Sequence, residues 1–303
     1  MKNNKLIGMD FVVEVIKTVL LTGQLADEKP VSLLIIASPE SGKTTAAKIA
    51  NISIASDKHE GELAVPLTDA TGAGLLKIIK ENPQTTHVIL NDLSIINGHK
   101  NHVVNYLFSI ISAMTEEGVS RTADPSGIQP FGEEGKKGVI GCITPDLVKD
   151  RRFVWNKTGL TTRMLPFFYG HGLDVELKVR RYHAGLDSHS DDDASADGLK
   201  IPSKKLKVHV NRKYREQILE LASDLAKKLS REGKTKNNPN YKEHGYRRII
   251  QFMSLAKAHS LLTHRDGEVH KANVKFLQKL SKFVSYRKAE DLEEPSSSSD
   301  SGE

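Results

Sequence analysis

Val31-Ser32-Leu33-Leu34-Ile35-Ile36-Ala37-Ser38-Pro39-Glu40-Ser41-Gly42-Lys43-Thr44-Thr45 decides how this chain is read. Leu33–Ala37 is apolar without polar alternation, the pattern of a strand buried on both faces. Ser-Pro-Glu-Ser-Gly then breaks it, and Thr44-Thr45-Ala46-Ala47-Lys48 reads as the opening of a helix. Strand, tight loop, Gly-Lys-Thr and helix together make a phosphate-binding loop. Its amides and the helix N-terminus face the phosphates, the lysine reaches the terminal ones, and the threonine hydroxyl faces Mg²⁺. The cradle is therefore Ala37, Ser38, Pro39, Glu40, Ser41, Gly42, Lys43, Thr44 and Thr45, with Ala37 standing where the motif usually has its first glycine. A nucleoside triphosphate, ATP with Mg²⁺, is the expected ligand.

The 303 residues, 38% hydrophobic and 27% charged, are those of an ordinary globular chain with material for a sizeable core. Apolar runs are too short to span a bilayer, so no membrane is expected. The single cysteine, Cys142, excludes an internal disulfide framework and fits a reducing cytoplasm. No signal peptide is read in the first residues. Charge is unevenly spread. Residues 289–303 hold six acids and no lysine or arginine, so residues 1–288 carry 44 bases against 32 acids, a surplus of +12. Such a body suits a polyanionic partner.

Around the loop, Asp10 is a candidate N-cap for a helix with Val12, Ile16, Val19 and Leu20 on one face. Thr86–Leu93 is an apolar strand ending in Asn91-Asp92, about fifty residues after the loop. A carboxylate there helps hold Mg²⁺. Two registers exist. In one, Asn91 takes the metal position and Asp92 the base; in the other, Asp92 joins Thr44 as metal residue and Leu93 falls where the base belongs. The second is preferred, because asparagine brings no negative charge to a divalent ion. Glu116 and Glu117 are then candidates for the missing base. His99 and His102 have no partner at ligand spacing and read as surface residues. Gly118–Gly138, rich in glycine, proline and charge, reads as a hairpin or loop. Gly138–Pro145 is a further buried strand, ending at Thr144. Asp and Ser fill 184–203, which reads as a structureless linker. Beyond it, apolar residues recur at helical spacing in three stretches, a small bundle.

These residues together resemble the AAA+ ATPases, and in particular the minichromosome maintenance helicase and magnesium-chelatase (MoxR-like) groups. Ile7-Gly8-Met9 resembles the segment beside the adenine in that superfamily. Thr144-Pro145 is similar to the first-sensor position, with threonine where the helicases carry asparagine. Thr162-Arg163-Met164 lies where those groups have Ser-Arg-Phe, which implies that Arg163 is an arginine finger offered to ATP on a neighbouring subunit. Arg247, followed by Leu255-Ala256-Lys257-Ala258-His259 and Arg265-Asp266, looks like their lid. That likeness implies a second-sensor role for Arg247, with Arg248 its adjacent rival. His259 reads as a packing residue.

The expected fold is α/β: a P-loop AAA+ parallel sheet with helices on both faces over 1–183, linker 184–203, an all-α lid over 204–288 and an acidic disordered tail over 289–303. The resemblance implies an ATPase whose catalytic residues are Asp92, Thr144, Arg163 and Arg247, working in a homo-oligomeric ring or filament. DNA is the first expected substrate, gripped by Lys136 and Lys137 unless these are a solvated hairpin tip. A chaperone-like remodeller of a protein partner and a slowly hydrolysing binding switch are the alternatives.

Overall fold

The computed structural model describes residues 6–56, 61–93, 100–118, 121–124, 127–130, 136–186, 199–201, 204–234 and 241–286. The acidic tail, His99 and residues 187–198 of the expected linker lie outside them.

The apolar run after Val31 does form a strand, β1 (Ser32–Ile36), buried at all five positions. Before it runs α1 (Asp10–Thr22), and after it α2 (Lys43–Ile52). The chain continues through β2 (Ile54–Ser56), β3 (Gly61–Glu62), β4 (Ala64–Leu67), α3 (Gly72–Glu81), β5 (His87–Leu90) and α4 (Asn101–Glu116). Next come β6 (Arg121–Asp124), β7 (Gly127–Pro130), β8 (Gly138–Ile143), α5 (Pro145–Lys157), α6 (Leu160–Arg163) and β9 (Met164–Phe168). Last are α7 (Leu173–His183), β10 (Leu199–Ile201), α8 (Arg212–Gly233), α9 (Tyr246–Thr263) and α10 (Lys271–Phe283).

The main sheet has the order β4-β5-β8-β1-β9, with every neighbouring pair parallel. This is the parallel α/β sheet expected from the sequence, followed by the expected helical domain. Pro66 sits in β4, an edge strand, where its missing N–H breaks no interior ladder. The lid helices α8, α9 and α10 pack on one another, and α9 lies along α1. Phe11 brings α1, sheet and lid together, with its ring 5.2 Å from Phe283, 6.0 Å from Phe276 and 6.4 Å from Phe167. The hydrophobic core is thus continuous from sheet to lid. No described helix is long and apolar enough to cross a membrane.

Three local expectations need correcting. Asp10 is the first helical residue, not the cap; Met9 precedes it without a side-chain capping bond, and the carboxylate instead faces the positive helix end. Leu199–Ile201, assigned by composition to the structureless linker, pairs in parallel with Ile54–Ser56. A backbone ladder formed with a segment so distant in sequence leaves no trace in composition. Within 118–138, β6 and β7 form an antiparallel pair, but Lys136 and Lys137 lie beyond it.

Lys137 is 1% exposed. Its Nζ donates to the carbonyls of Asn82 (3.1 Å), Pro83 (3.2 Å) and Thr85, closing the C-terminal end of α3. Orphan carbonyls and the negative end of the helix dipole pull the ammonium inward. It is unavailable to a nucleic acid; of the expected pair, Lys136 alone is exposed.

Next to Lys137 lies a second buried polar group. His87 donates from Nε2 to the Val31 carbonyl (3.1 Å) and accepts at Nδ1 from Thr86 Oγ1 (2.9 Å). Gly138 must be glycine here, since a Cβ would stand 2.3 Å from the His87 ring and 3.0 Å from the Val31 oxygen. Burial lowers the His87 pKa to about 4; the Val31 bond opposes the shift and the Lys137 charge adds to it. A depressed histidine pKa means that stability is full above about pH 6.5 and drains away as pH falls toward 4. Between pH 7 and pH 5 the loss from this residue should be about 2 kcal/mol. Urea titrations should show it, and His87→Gln should flatten that segment of the pH profile. An unchanged profile in the variant would refute the assignment.

Candidate functional site

The loop following β1 turns on two left-handed residues, Glu40 (φ 60°) and Gly42 (φ 78°). Glycine adopts that conformation freely, whereas for glutamate it carries strain of the kind that collects at functional loops. Gly42 caps α2 and accepts from the Ala46 N–H at 2.8 Å, so the first-turn amides of α2 point into the loop. Ala37 is buried and donates its N–H to Ile143, while Ser38, Pro39 and Glu40 are exposed. Lys43 Nζ folds back onto the Ser38 carbonyl at 3.1 Å. Leu6 and Met9 approach Gly42, which puts the Ile7-Gly8-Met9 segment beside the loop.

Strand register assembles the rest. Leu90 pairs with Gly141 and Ile36 with Ile143, so Asn91, Asp92 and Thr144 emerge at the edge where β1 delivers the loop. Thr44 Oγ1 donates to the Asn91 carbonyl at 3.2 Å. The thiol of Cys142 on β8 sits among these groups. Burial raises its pKa to about 12, with Lys43 and a Thr44 hydrogen bond opposing and Asp92 reinforcing the shift. Thr144 starts α5 without a side-chain capping bond, which leaves its hydroxyl uncommitted to the helix.

Two residues missed in the sequence brace this edge. Tyr169 OH and His171 Nε2 both donate to the Ser41 carbonyl at 3.1 Å. Their relevance shows only once β9 is known to lie beside β1. Burial raises the Tyr169 pKa, so it remains a donor.

ATP with Mg²⁺ fits this constellation. The first-turn amides of α2 and Lys43 supply donors, and Thr44 and Asp92 supply the oxygens a hard cation needs. Two buried side-chain atoms at this edge, Ser41 Oγ and Asn91 Oδ1, lack hydrogen-bond partners, as expected where a ligand completes the network. Among the described residues no cluster of three or more His, Cys, Asp and Glu side chains is arranged around a metal position, here or elsewhere.

The opposite edge holds the arginines. Met164 pairs with Ser32, so Arg163 lies at the start of β1, about 16 Å of strand away from the loop. Arg163 Nε is 3.7 Å and Arg247 Nε 2.9 Å from Glu116 Oε1, and Lys29 Nζ is 3.5 Å from Oε2. Arg247 also donates to Thr162 Oγ1 at 2.6 Å. Burial and then the neighbouring Arg247 lower the Arg163 pKa, while Glu116 and Glu117 oppose. Glu116 is therefore shared among three cations at this end of the sheet, away from the loop that follows β1, and does not serve that loop as a base. Arg247 likewise stands far from its own Lys43.

Arg248, the neighbour of Arg247, turns inward. It grips Glu243 in a fork (Nε–Oε2 3.0 Å, Nη2–Oε1 3.0 Å) and donates to the Thr161 and Met164 carbonyls. Gln251 donates to the Arg163 carbonyl at 2.9 Å, and Tyr286 OH to that of Thr161 at 2.7 Å. The lid thereby holds the backbone on which Arg163 is mounted. His259 packs as expected, stacked on Phe276 at 4.0 Å with Nε2 on Glu14.

No family model matches the chain, and no curated protein matches it by sequence. Among solved structures it is similar to a putative ATPase from Cytophaga hutchinsonii, at 12% identity and a TM-score of 0.50. The match covers 93% of this chain and 83% of that one. At that identity the likeness speaks to fold alone.

Proposed function

We propose that the chain binds ATP with Mg²⁺ at Ala37–Thr45 and hydrolyses it in a homo-oligomeric ring or filament. The observation carrying this reading is the division of the residues between two edges. Lys43, Thr44, Asp92 and Thr144 gather at one end of the sheet, while Arg163 and Arg247 stand at the other. Lys43 and the α2 amides would hold the phosphates, and Thr44 and Asp92 the metal, whose charge eases phosphoryl transfer. Thr144 would orient the attacking water. Arg163, with Arg247 beside it, serves the site of the adjoining copy, because neither reaches its own. The substrate class that best fits the +12 body is nucleic acid, acted on by a motor or loader. A slowly hydrolysing switch is the second reading, supported by Asn91-Asp92 in place of an Asp-Glu pair and by the engagement of Glu116 elsewhere.

Lys43→Ala tests the foundation. Removing a charge-assisted donor should weaken ATP binding roughly 10- to 100-fold, measured by titration calorimetry. The thermal stabilisation that excess Mg-ATP gives the wild type should disappear. Intact affinity in the variant would end the reading. A single-turnover rate that DNA leaves unchanged would favour the switch over the motor.

A further inference from the structure

The lid carries a concavity remote from the phosphate loop in sequence and unused by it. A groove of about 260 Å³ opens between the first turns of α8 and of α10. Lys213, Tyr214 and Gln217 line one wall, Lys271, Lys275 and Gln278 the other, and no acid takes part. None of the three lysines forms an ion pair with a described residue, whereas nearby Arg212 is neutralised by Glu216 at 2.9 Å. Val274 forms the buried floor of the groove, and Phe276, Leu277 and Leu280 of α10 are buried in the bundle, so the lysine row cannot turn inward. Lys271 and Lys275 stand one helical turn apart, about 6 Å along the axis. Lys279 continues the row, its Nζ 4.0 Å from the Phe11 ring. Like charges spaced this way repel one another, and a bound anion would relieve the repulsion. The groove lies beside the N-terminal turns of both helices, where the helix dipole is positive.

We propose that this groove binds the phosphate backbone of a single-stranded nucleic acid. The stepped lysines match a repeating anion better than one isolated phosphate. Tyr214 offers a ring for stacking, and the amides of Gln217 and Gln278 both donate and accept, as base edges require. The site replaces Lys137, which the fold has buried. It rests on the nucleic-acid part of the function proposed above and not on hydrolysis, so binding is measured without ATP.

The probe is a fluorescein-labelled oligothymidylate of about 20 nucleotides, followed by anisotropy across a salt series. Each neutralised phosphate contributes about 0.7 to the log–log salt slope of a single strand. Changing Lys213, Lys271 and Lys275 together to Gln should reduce the slope by about 2 and weaken low-salt binding at least about tenfold. ATP affinity should stay at the wild-type value. Should the triple variant fail to fold, Lys213→Gln alone should reduce the slope by about 0.7. Wild-type chain that ignores the oligonucleotide overturns the proposal, as does an unchanged slope in the variants. Displacement of the oligonucleotide by polyglutamate at equal charge overturns it too, assigning the groove to an acidic protein.

Discussion

Arg163→Ala should reduce the ATPase turnover by on the order of 10³-fold or more while leaving ATP affinity within a few-fold of wild type. An arginine that stabilises charge developing in phosphoryl transfer acts in the transition state, so its loss lowers kcat rather than binding. A thousandfold loss corresponds to about 4 kcal/mol of barrier. The sheet geometry sharpens the expectation. Arg163 stands at the start of β9, at the far end of β1 from Lys43, so under the proposed function the ATP it serves would be bound to another copy. Mixing Arg163→Ala with Lys43→Ala chains should therefore restore activity that neither has alone. One variant contributes the intact loop and the other the intact finger. If the mixture stays as inactive as its components, the finger does not act between subunits. Weakened ATP binding by Arg163→Ala alone would equally contradict the assignment.

Arg248→Ala should cost about 3–5 kcal/mol of folding stability, read as a lower denaturant midpoint. The residue is 1% exposed and meets Glu243, itself nearly buried, through two parallel bonds. Burial alone would lower its pKa, but Glu243, with Tyr286, more than offsets this and holds the guanidinium charged. Truncation strands a buried carboxylate and removes donors from Thr161 and Met164 carbonyls next to Arg163. Arg247→Ala, half exposed and one residue away, should cost under about 1 kcal/mol. The double variant Arg248→Met/Glu243→Leu should recover part of the loss, because no unpaired charge is left behind. A cost for Arg248→Ala comparable to that for Arg247→Ala would show that the fork contributes little.

Local chemistry made the loop between β1 and α2 legible without coordinates. Five apolar residues, a turn-forming cluster and Gly-Lys-Thr each dictate conformation within a few positions, so β1, the loop and α2 follow from neighbours in the chain. The lid helices were legible for the same reason, their apolar positions recurring every three to four residues. Asp92 and Thr144 could be placed because each ends an apolar strand.

The polar residues could not be sorted this way. Lys136 and Lys137 are identical as letters, yet one is exposed and the other fills the end of α3, more than fifty positions earlier. Arg247 and Arg248 are adjacent, but successive residues of a helix point about 100° apart. One faces Glu116 and the open edge, while the other faces a buried glutamate. Glu116 reads as a candidate base until α4 delivers it to the wrong edge of the sheet. The sequence by itself determined the strand, loop and helix at residues 32–52, since these depend on backbone conformation set locally. Which charges are buried, which gather at the far end of the sheet from the loop and which line the lid groove was decided by tertiary structure. Each of those outcomes depends on partners that only the strand order and the helix packing bring together.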